Sequence, residues 1–242
     1  MKKSILLTTY LIIFAGMLSA QDFQKDIIET QGGDLTITFI GHGTIMFEHQ
    51  GKVIHVDPWK RLADYSKLPK ADAILITHEH GDHLDPEAIK AIETETTDIL
   101  LTQKCFDQIN KGKVINNGDY DLAAGFPVEA VPAYNILAKR GNGKPYHPKG
   151  EGNGYVITFS DTRVYVAGDT EYIPEMEKLL DIDIAFLPMN LPYTMDPELM
   201  AIAAKAVDPK ILYPYHFGDT KTEELITLLM GTGIDVRIRA MK

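Results

Sequence analysis

Two stretches of this chain follow one pattern. Residues 45–59 and 155–172 each read as a strand, a tight turn, a second strand and then an aspartate, Asp57 in the first and Asp169 in the second. Alternating apolar and polar residues mark the strands, and Gln50-Gly51-Lys52 marks a hairpin turn. The correspondence is one of pattern, not of residue identity. It predicts two similar β-rich halves packed face to face, with loops along one edge presenting the chemistry. Further strands are expected at 35–40, 73–77, 99–102, 114–116, 128–131, 184–187 and 211–213. Helices are expected at 86–92, near 174–180, at 197–206 and at 222–231, the first opened by Asp85 as cap and Pro86. A glycine-rich loop is expected over 141–154. No linker rich in Pro, Gly or Ser divides the chain, so 21–242 reads as one α+β domain, a length that β-rich folds reach undivided.

The first twenty residues stand apart. Lys2 and Lys3 precede an apolar run over 5–18, and Ser19-Ala20 ends it with small residues, the layout of a secretory signal peptide cut after Ala20. The run is shorter than the ~20 apolar residues a membrane span needs. The expectation is an exported protein, periplasmic or secreted, with no stable membrane insertion once the leader is removed. Net charge is −10, and the leader takes away two lysines and no acid. Such a surface repels polyanions, which argues against a nucleic-acid partner and leaves a small molecule as the expected substrate. The single cysteine, Cys105, cannot form an internal disulfide and reads as a small, partly buried residue.

The chemistry concentrates in Thr77-His78-Glu79-His80-Gly81-Asp82-His83-Leu84-Asp85, directly after an apolar strand. Imidazole and carboxylate are the ligands that Zn²⁺ and similar ions prefer. On extended backbone His78 and His80 point the same way, and a turn at Gly81 lets Asp82 and His83 swing toward a neighbouring ion. The chain holds eight histidines, so three of them within six positions is poorly explained by chance. One loop cannot complete two coordination shells. His147 in the glycine-rich loop, Asp169 after the strand ending at Ala167, and His216 after the strand at 211–213 are the candidates to do so.

The run His78-x-His80-x-Asp82-His83, a later histidine, Gly168-Asp169-Thr170 and a final histidine resemble the metallo-β-lactamase fold superfamily of hydrolases, over residues 38–218. Gly41-His42-Gly43-Thr44, Asp57-Pro58-Trp59 and Tyr165–Thr170 are similar to the branch with ascorbate-6-phosphate lactonase-like proteins and, more loosely, N-acyl-phosphatidylethanolamine phospholipase D-like proteins. The resemblance implies a four-layer αβ/βα sandwich with a dinuclear site along one edge. It implies that His78, His80 and His147 hold a first ion, that Asp82, His83 and His216 hold a second, and that Asp169 bridges them. Asp82 and Asp169 would be the catalytic carboxylates, with a hydroxide between two divalent ions (Zn²⁺, or Mn²⁺ or Fe²⁺) attacking an ester, lactone or phosphodiester. Asp57 would steady the His78–His83 loop from behind, because metal-bound imidazoles need a partner for their other nitrogen. His42 either lines the site or satisfies a backbone group, and His49 and His55 read as structural or surface residues.

Metallo-β-lactamases place a cysteine where this chain has Asp169, which disfavours antibiotic hydrolysis. A β-lactamase-like amidase and a non-catalytic metal-binding or sensing protein remain the alternative readings. Arg140, Lys144 and Tyr146 beside His147, and Tyr193 in the loop 190–195, form either a rim suited to an anionic or sugar-like substrate or ordinary solvated loops.

Overall fold

The computed structural model describes residues 21–241; the expected leader lies outside the described residues. The first half runs β1 (Gln24–Ile28), β2 (Leu35–Gly41), β3 (Thr44–His49), β4 (Lys52–Val56), β5 (Ala73–Leu75), α1 (Pro86–Ile92), β6 (Asp98–Leu101), α2 (Gln103–Ile109) and β7 (Lys113–Val114). The second runs β8 (Tyr120–Ala123), β9 (Phe126–Ala133), β10 (Gly152–Phe159), β11 (Thr162–Val166), β12 (Ile184–Pro188), α3 (Pro197–Val207), β13 (Ile211–Tyr215), α4 (Glu223–Leu228) and β14 (Asp235–Val236). Each half forms one seven-stranded sheet in sequence order. In both, four strands joined antiparallel are followed by three added in parallel.

Alternation along the strands decides which residues fill which layer. Leu35, Ile37 and Phe39 of β2 and Ile45 and Phe47 of β3 point into the space between the sheets. There Phe39 meets Tyr213 at 5.0 Å between ring centroids, and Phe47 meets Phe159 at 5.4 Å and Phe186 at 6.0 Å. The opposite face of the first sheet offers Ile74, Ile76, Ile99 and Leu101, which form a separate cluster with Ala88, Ile89 and Ile92 of α1 and Cys105 of α2. Cys105 is fully buried there, and burial pushes its thiol up to about 12, so it is no nucleophile. On the outside of the second sheet α3 buries Met200, Ala203, Ala204 and Val207, one stripe at helical spacing. The layers are therefore helix, sheet, sheet, helix.

Local chemistry sets several boundaries. Asp85 caps α1 by accepting from the backbone N–H groups of Glu87 and Ala88, and Pro86 occupies the first turn, where its missing N–H costs nothing. Asp196 and Pro197 open α3 the same way. The segment at 174–180 is a 3₁₀ turn, Pro174–Lys178, and the last helix is only Glu223–Leu228. The glycine-rich loop ends sooner than expected, because Gly152–Gly154 already belongs to β10. Strands β1, β8 and β14 were not expected; they are edge or hairpin strands with exposed or half-covered residues and little apolar alternation.

Register corrects one detail of the repeated pattern. Val56 pairs with Leu75 and Val166 with Phe186, so the residue after each strand is Asp57 in one half and Ala167 in the other. Their N–H groups donate to the partner strand in the same way, Asp57 to Leu75 and Ala167 to Phe186. Asp57 thus corresponds to Ala167. Asp169 lies two residues further on, beyond the turn at Gly168.

Candidate metal centre

The candidate donors sit in loops that follow strands, on one edge of the sandwich. His78, His80, Asp82 and His83 follow β5, His147 lies between β9 and β10, Asp169 follows β11, and His216 follows β13. His42 occupies the turn between β2 and β3. His42, Asp57 and His216 adopt φ of 50°, 46° and 49°, the left-handed region, where residues other than glycine are held only by their surroundings. Gly168, at φ 67°, has no room for a side chain: a Cβ would stand 2.8 Å from the Asn153 carbonyl oxygen. At Gly43 a Cβ would stand 2.8 Å from the His83 ring.

The donor atoms gather in two groups that share one carboxylate. In the first, His80 Nδ1 lies 3.0 Å from His78 Nε2 and 3.2 Å from His147 Nε2. Asp169 Oδ2 closes that group at 3.3 Å from His147 Nε2 and 3.9 Å from His78 Nε2. In the second, Asp169 Oδ1 lies 3.5 Å from His83 Nε2 and 3.6 Å from His216 Nε2. Asp82 Oδ2 lies 3.5 Å from His216 Nε2 and 3.8 Å from His83 Nε2. Ligand bonds of ~2.0–2.1 Å in a tetrahedral shell put neighbouring ligand atoms ~3.3 Å apart, close to these separations. His83 Nε2, His216 Nε2 and Asp169 Oδ1 are buried with no hydrogen-bond partner. Buried polar atoms of this kind are rare and call for an occupant, and three orphans converging on one point fit a cation.

The remaining ring nitrogens are held by a second set of residues. Fully buried Asp57 accepts from Thr77 N at 2.8 Å, from Thr77 Oγ1 at 2.6 Å and from His83 Nδ1 at 2.7 Å. Thr77 Oγ1 has one hydrogen and donates it to Asp57, so at 3.0 Å it accepts from His78 Nδ1. One carboxylate therefore sets the tautomer of two imidazoles and leaves both Nε2 lone pairs facing the site. In the other half Asn135 Oδ1 accepts from His147 N at 2.7 Å and His147 Nδ1 at 2.8 Å. The Asn190 amide lies 3.4 Å from His216 Nδ1. Glu171 accepts from the N–H groups of Ile136, Leu137 and Ala138 and so tethers the loop that carries His147. Asn135, Asn190 and Glu171 carry no sequence signal of their own; only their position relative to the histidines reveals them.

Charge states match cation binding. Burial, reinforced by neighbouring imidazoles, holds His78 well below its usual range, and burial lowers His80. Burial works against the charge on Asp169 and Asp82, yet the imidazoles beside them hold both carboxyls below the usual range: His216 and His83 for Asp169, His216 and His42 for Asp82. Burial also opposes a proton on His83, but Asp169 and Asp57 outweigh it and raise His83 to about 9. The carboxylate field that draws a proton there would equally draw a metal ion, the two competing for one nitrogen.

His42 lines the site, its Nε2 3.2 Å from Asp82 Oδ2 and its ring 3.7 Å from that of His216. Its backbone carbonyl also accepts from His216 N. A cavity of about 450 Å³ opens over the donors, lined also by Arg140, Tyr146, Asn190 and Tyr193. Lys144 is exposed and not among its lining residues. His49 and His55 are buried elsewhere, bonded to Asp34 O and Ser160 Oγ and to Pro69 O respectively.

Comparison with known proteins agrees with this architecture. The β-lactamase superfamily domain profile matches residues 36–216. A metal-dependent hydrolase of Nanoarchaeum equitans is 31% identical over 188 residues, spanning 76% of this chain and 84% of the relative. One from Ligilactobacillus salivarius is 30% identical over 193 residues, spanning 76% and 85%. A crystal structure from Parabacteroides distasonis, of a protein assigned to the metal-dependent hydrolases, superposes with a TM-score of 0.87 at 53% identity, covering 91% of this chain and all of that one. A metallohydrolase of Ignicoccus hospitalis superposes with a TM-score of 0.71 at 25% identity, covering 86% and 96%. With its fold, its converging donors and these relatives in agreement, the chain belongs to the β-lactamase superfamily, as a metal-dependent hydrolase.

Proposed function

We propose that this hydrolase holds two divalent ions, one among His78, His80 and His147 and one among Asp82, His83 and His216, with Asp169 between them. We propose further that it cleaves an ester, lactone or phosphodiester bond of a small molecule. The observation that carries the reading is the convergence of unpaired, buried His83 Nε2, His216 Nε2 and Asp169 Oδ1 beside a second group sharing Asp169. Five imidazoles and two carboxylates suit Zn²⁺, and Mn²⁺ or Fe²⁺ by the same chemistry. Ions held there would polarise the scissile carbonyl or phosphoryl oxygen and lower the pKa of a water toward neutrality.

The protein groups have separable parts in this reading. Asp57, Thr77 and Asn135 keep imidazole lone pairs aimed inward. Asp82 Oδ2 faces the second donor group, and His42, its Nε2 3.2 Å from that oxygen on the cavity wall, is the group outside both donor sets placed to carry a proton toward the leaving group. Metal content of the purified protein by plasma mass spectrometry, paired with an ester, lactone and phosphodiester panel, tests the proposal. Two ions per chain and turnover lost on chelation are expected; no uptake of Zn²⁺, Mn²⁺ or Fe²⁺ sinks it. Export is proposed from the leader pattern over residues 1–20, and an intact-mass measurement on the natively expressed protein decides it by whether the chain begins at Gln21.

A further inference from the structure

We infer that Arg140 is the anchor for a negatively charged group, carboxylate or phosphate, on the substrate; the inference rests on the metallohydrolase reading of the same cavity. Arg140 lines that cavity beside the donors. Its guanidinium stands 5.0 Å over the Tyr146 ring, and Nη2 donates to Tyr146 O at 3.2 Å. Among the described residues it pairs with no carboxylate, whereas Arg163, Arg237 and Arg239 each do. Nη2 is engaged by Tyr146 O, but without an acidic partner the guanidinium keeps its charge and its other donors for a carboxylate or phosphate. The chain as a whole carries a charge of −10, so an anionic substrate needs a local cation to offset the general field.

The loop itself is built to hold that cation in place. Buried Glu171 fixes its first turn through three N–H groups, and Arg140 N donates to Lys144 O at 2.8 Å to close a small hairpin. Tyr146 packs edge-on against Tyr193 at 5.0 Å, tying the loop to the opposite rim.

A second line concerns His80. Nη2 of Arg140 also lies 3.3 Å from His80 Nε2. Arginine has only donors, so His80 Nε2 must accept there, which puts the ring hydrogen on Nδ1. Nδ1 is the atom facing His78 and His147 in the first donor group. For Nδ1 to bind a cation the hydrogen has to sit on Nε2, and two donors would then face each other. A cation on His80 Nδ1 would therefore release Arg140 from His80 and free one Nη2 hydrogen for the cavity, the other remaining on Tyr146 O.

The test uses Zn²⁺-loaded full-length protein and its Arg140→Ala and Arg140→Lys variants, with metal content checked by plasma mass spectrometry. Calorimetric titration with inorganic phosphate, and separately with acetate, reads the anion directly and tells phosphate from carboxylate preference. Arg140→Ala should bind the preferred anion about tenfold to a hundredfold more weakly, the loss expected for one charged hydrogen-bond partner, and Arg140→Lys should recover part of it. With 4-nitrophenyl acetate and 4-nitrophenyl hemisuccinate as a neutral and an anionic ester, Arg140→Ala should reduce the preference for the anionic one, mainly through KM. Full metal content with unchanged affinity for both anions overturns the role of Arg140 alone. Failure of the wild-type protein to take up metal overturns the hydrolase reading and this inference with it.

Discussion

In the first half of the molecule His78, His80, Asp82 and His83 ride one loop after β5, braced by a single buried carboxylate, Asp57. In the second half His147, Asp169 and His216 arrive from three loops after β9, β11 and β13. Those loops are held by separate groups: Asn135 behind His147, Asn190 beside His216 and Glu171 under the loop that carries His147. The sheets behind these loops have the same strand order and the same change from antiparallel to parallel pairing. The difference therefore lies in the loops alone. One half concentrates its donors and their brace, so damage there should spread to several ligands; the other distributes them, so damage should stay local, except at Asp169, which reaches both groups.

Asp169 gives the largest expected effect. Asp169→Asn should lower turnover by roughly 10³-fold or more and strip metal from both groups, whereas Asp82→Asn should lower occupancy of one. Metal content and kcat measured on both variants check this. Equal, single-site loss in the two variants would break the idea that Asp169 joins the halves.

Asp57→Asn comes next. It weakens the acceptor for His83 Nδ1 and, through Thr77, the orientation of His78, so one change touches both donor groups. Metal affinity should fall about 10–100-fold, as seen when partners of metal-bound histidines are removed. Chelator competition measures it. An effect confined to one ion would show that Thr77 does not pass the constraint on to His78.

Asn135→Ala should be milder, about tenfold in affinity and restricted to the group containing His147. The same competition assay reads it, now with one of two binding steps shifted and the other unmoved.

The smallest effect concerns stability and lies away from the site. His55 in β4 and Tyr165 in β11 occupy corresponding register positions, paired with Ile74 and Ala185, and both bury a polar atom without a partner. Only the histidine titrates in the accessible range. Burial lowers His55 to about 4, outweighing the Pro69 carbonyl that accepts from its Nε2–H and favours the charged ring; a proton on Nδ1 would find no acceptor. A lowered histidine resists the proton when folded and takes it near pH ~6.5 when unfolded. Its contribution is intact above that value and is lost as pH falls toward 4. Between pH ~7.5 and ~5 the loss should be about 2 kcal/mol, and His55→Gln should remove most of it. Urea midpoints of the two proteins at both pH values give the difference; identical pH dependence would refute it.

How much was legible in the sequence follows the same division. The loop from His78 to His83 could be read because its donors are adjacent, and α1 because Asp85 and Pro86 act within one turn. The matching strand–turn–strand patterns were visible, but Asp57 and Asp169 were aligned by type when register pairs Asp57 with Ala167. Strands β1 and β8 escaped notice because edge strands bury too little to need alternation.

By itself the sequence determined the candidate donor types, the order in which they occur and the alternating strands that carry them, since backbone periodicity and metal preference are local chemistry. Tertiary structure decided which nitrogen of these histidines faces inward: Asp57, from the end of β4, holds His83 Nδ1 directly and His78 Nδ1 through Thr77, and the folding of the β9–β10 loop brings Asn135 onto His147 Nδ1. It decided too that Asp169 offers one oxygen to each donor group and that Arg140 stands over His80. These are relations between residues far apart in the chain, and only the packing of two sheets brings them within hydrogen-bond distance.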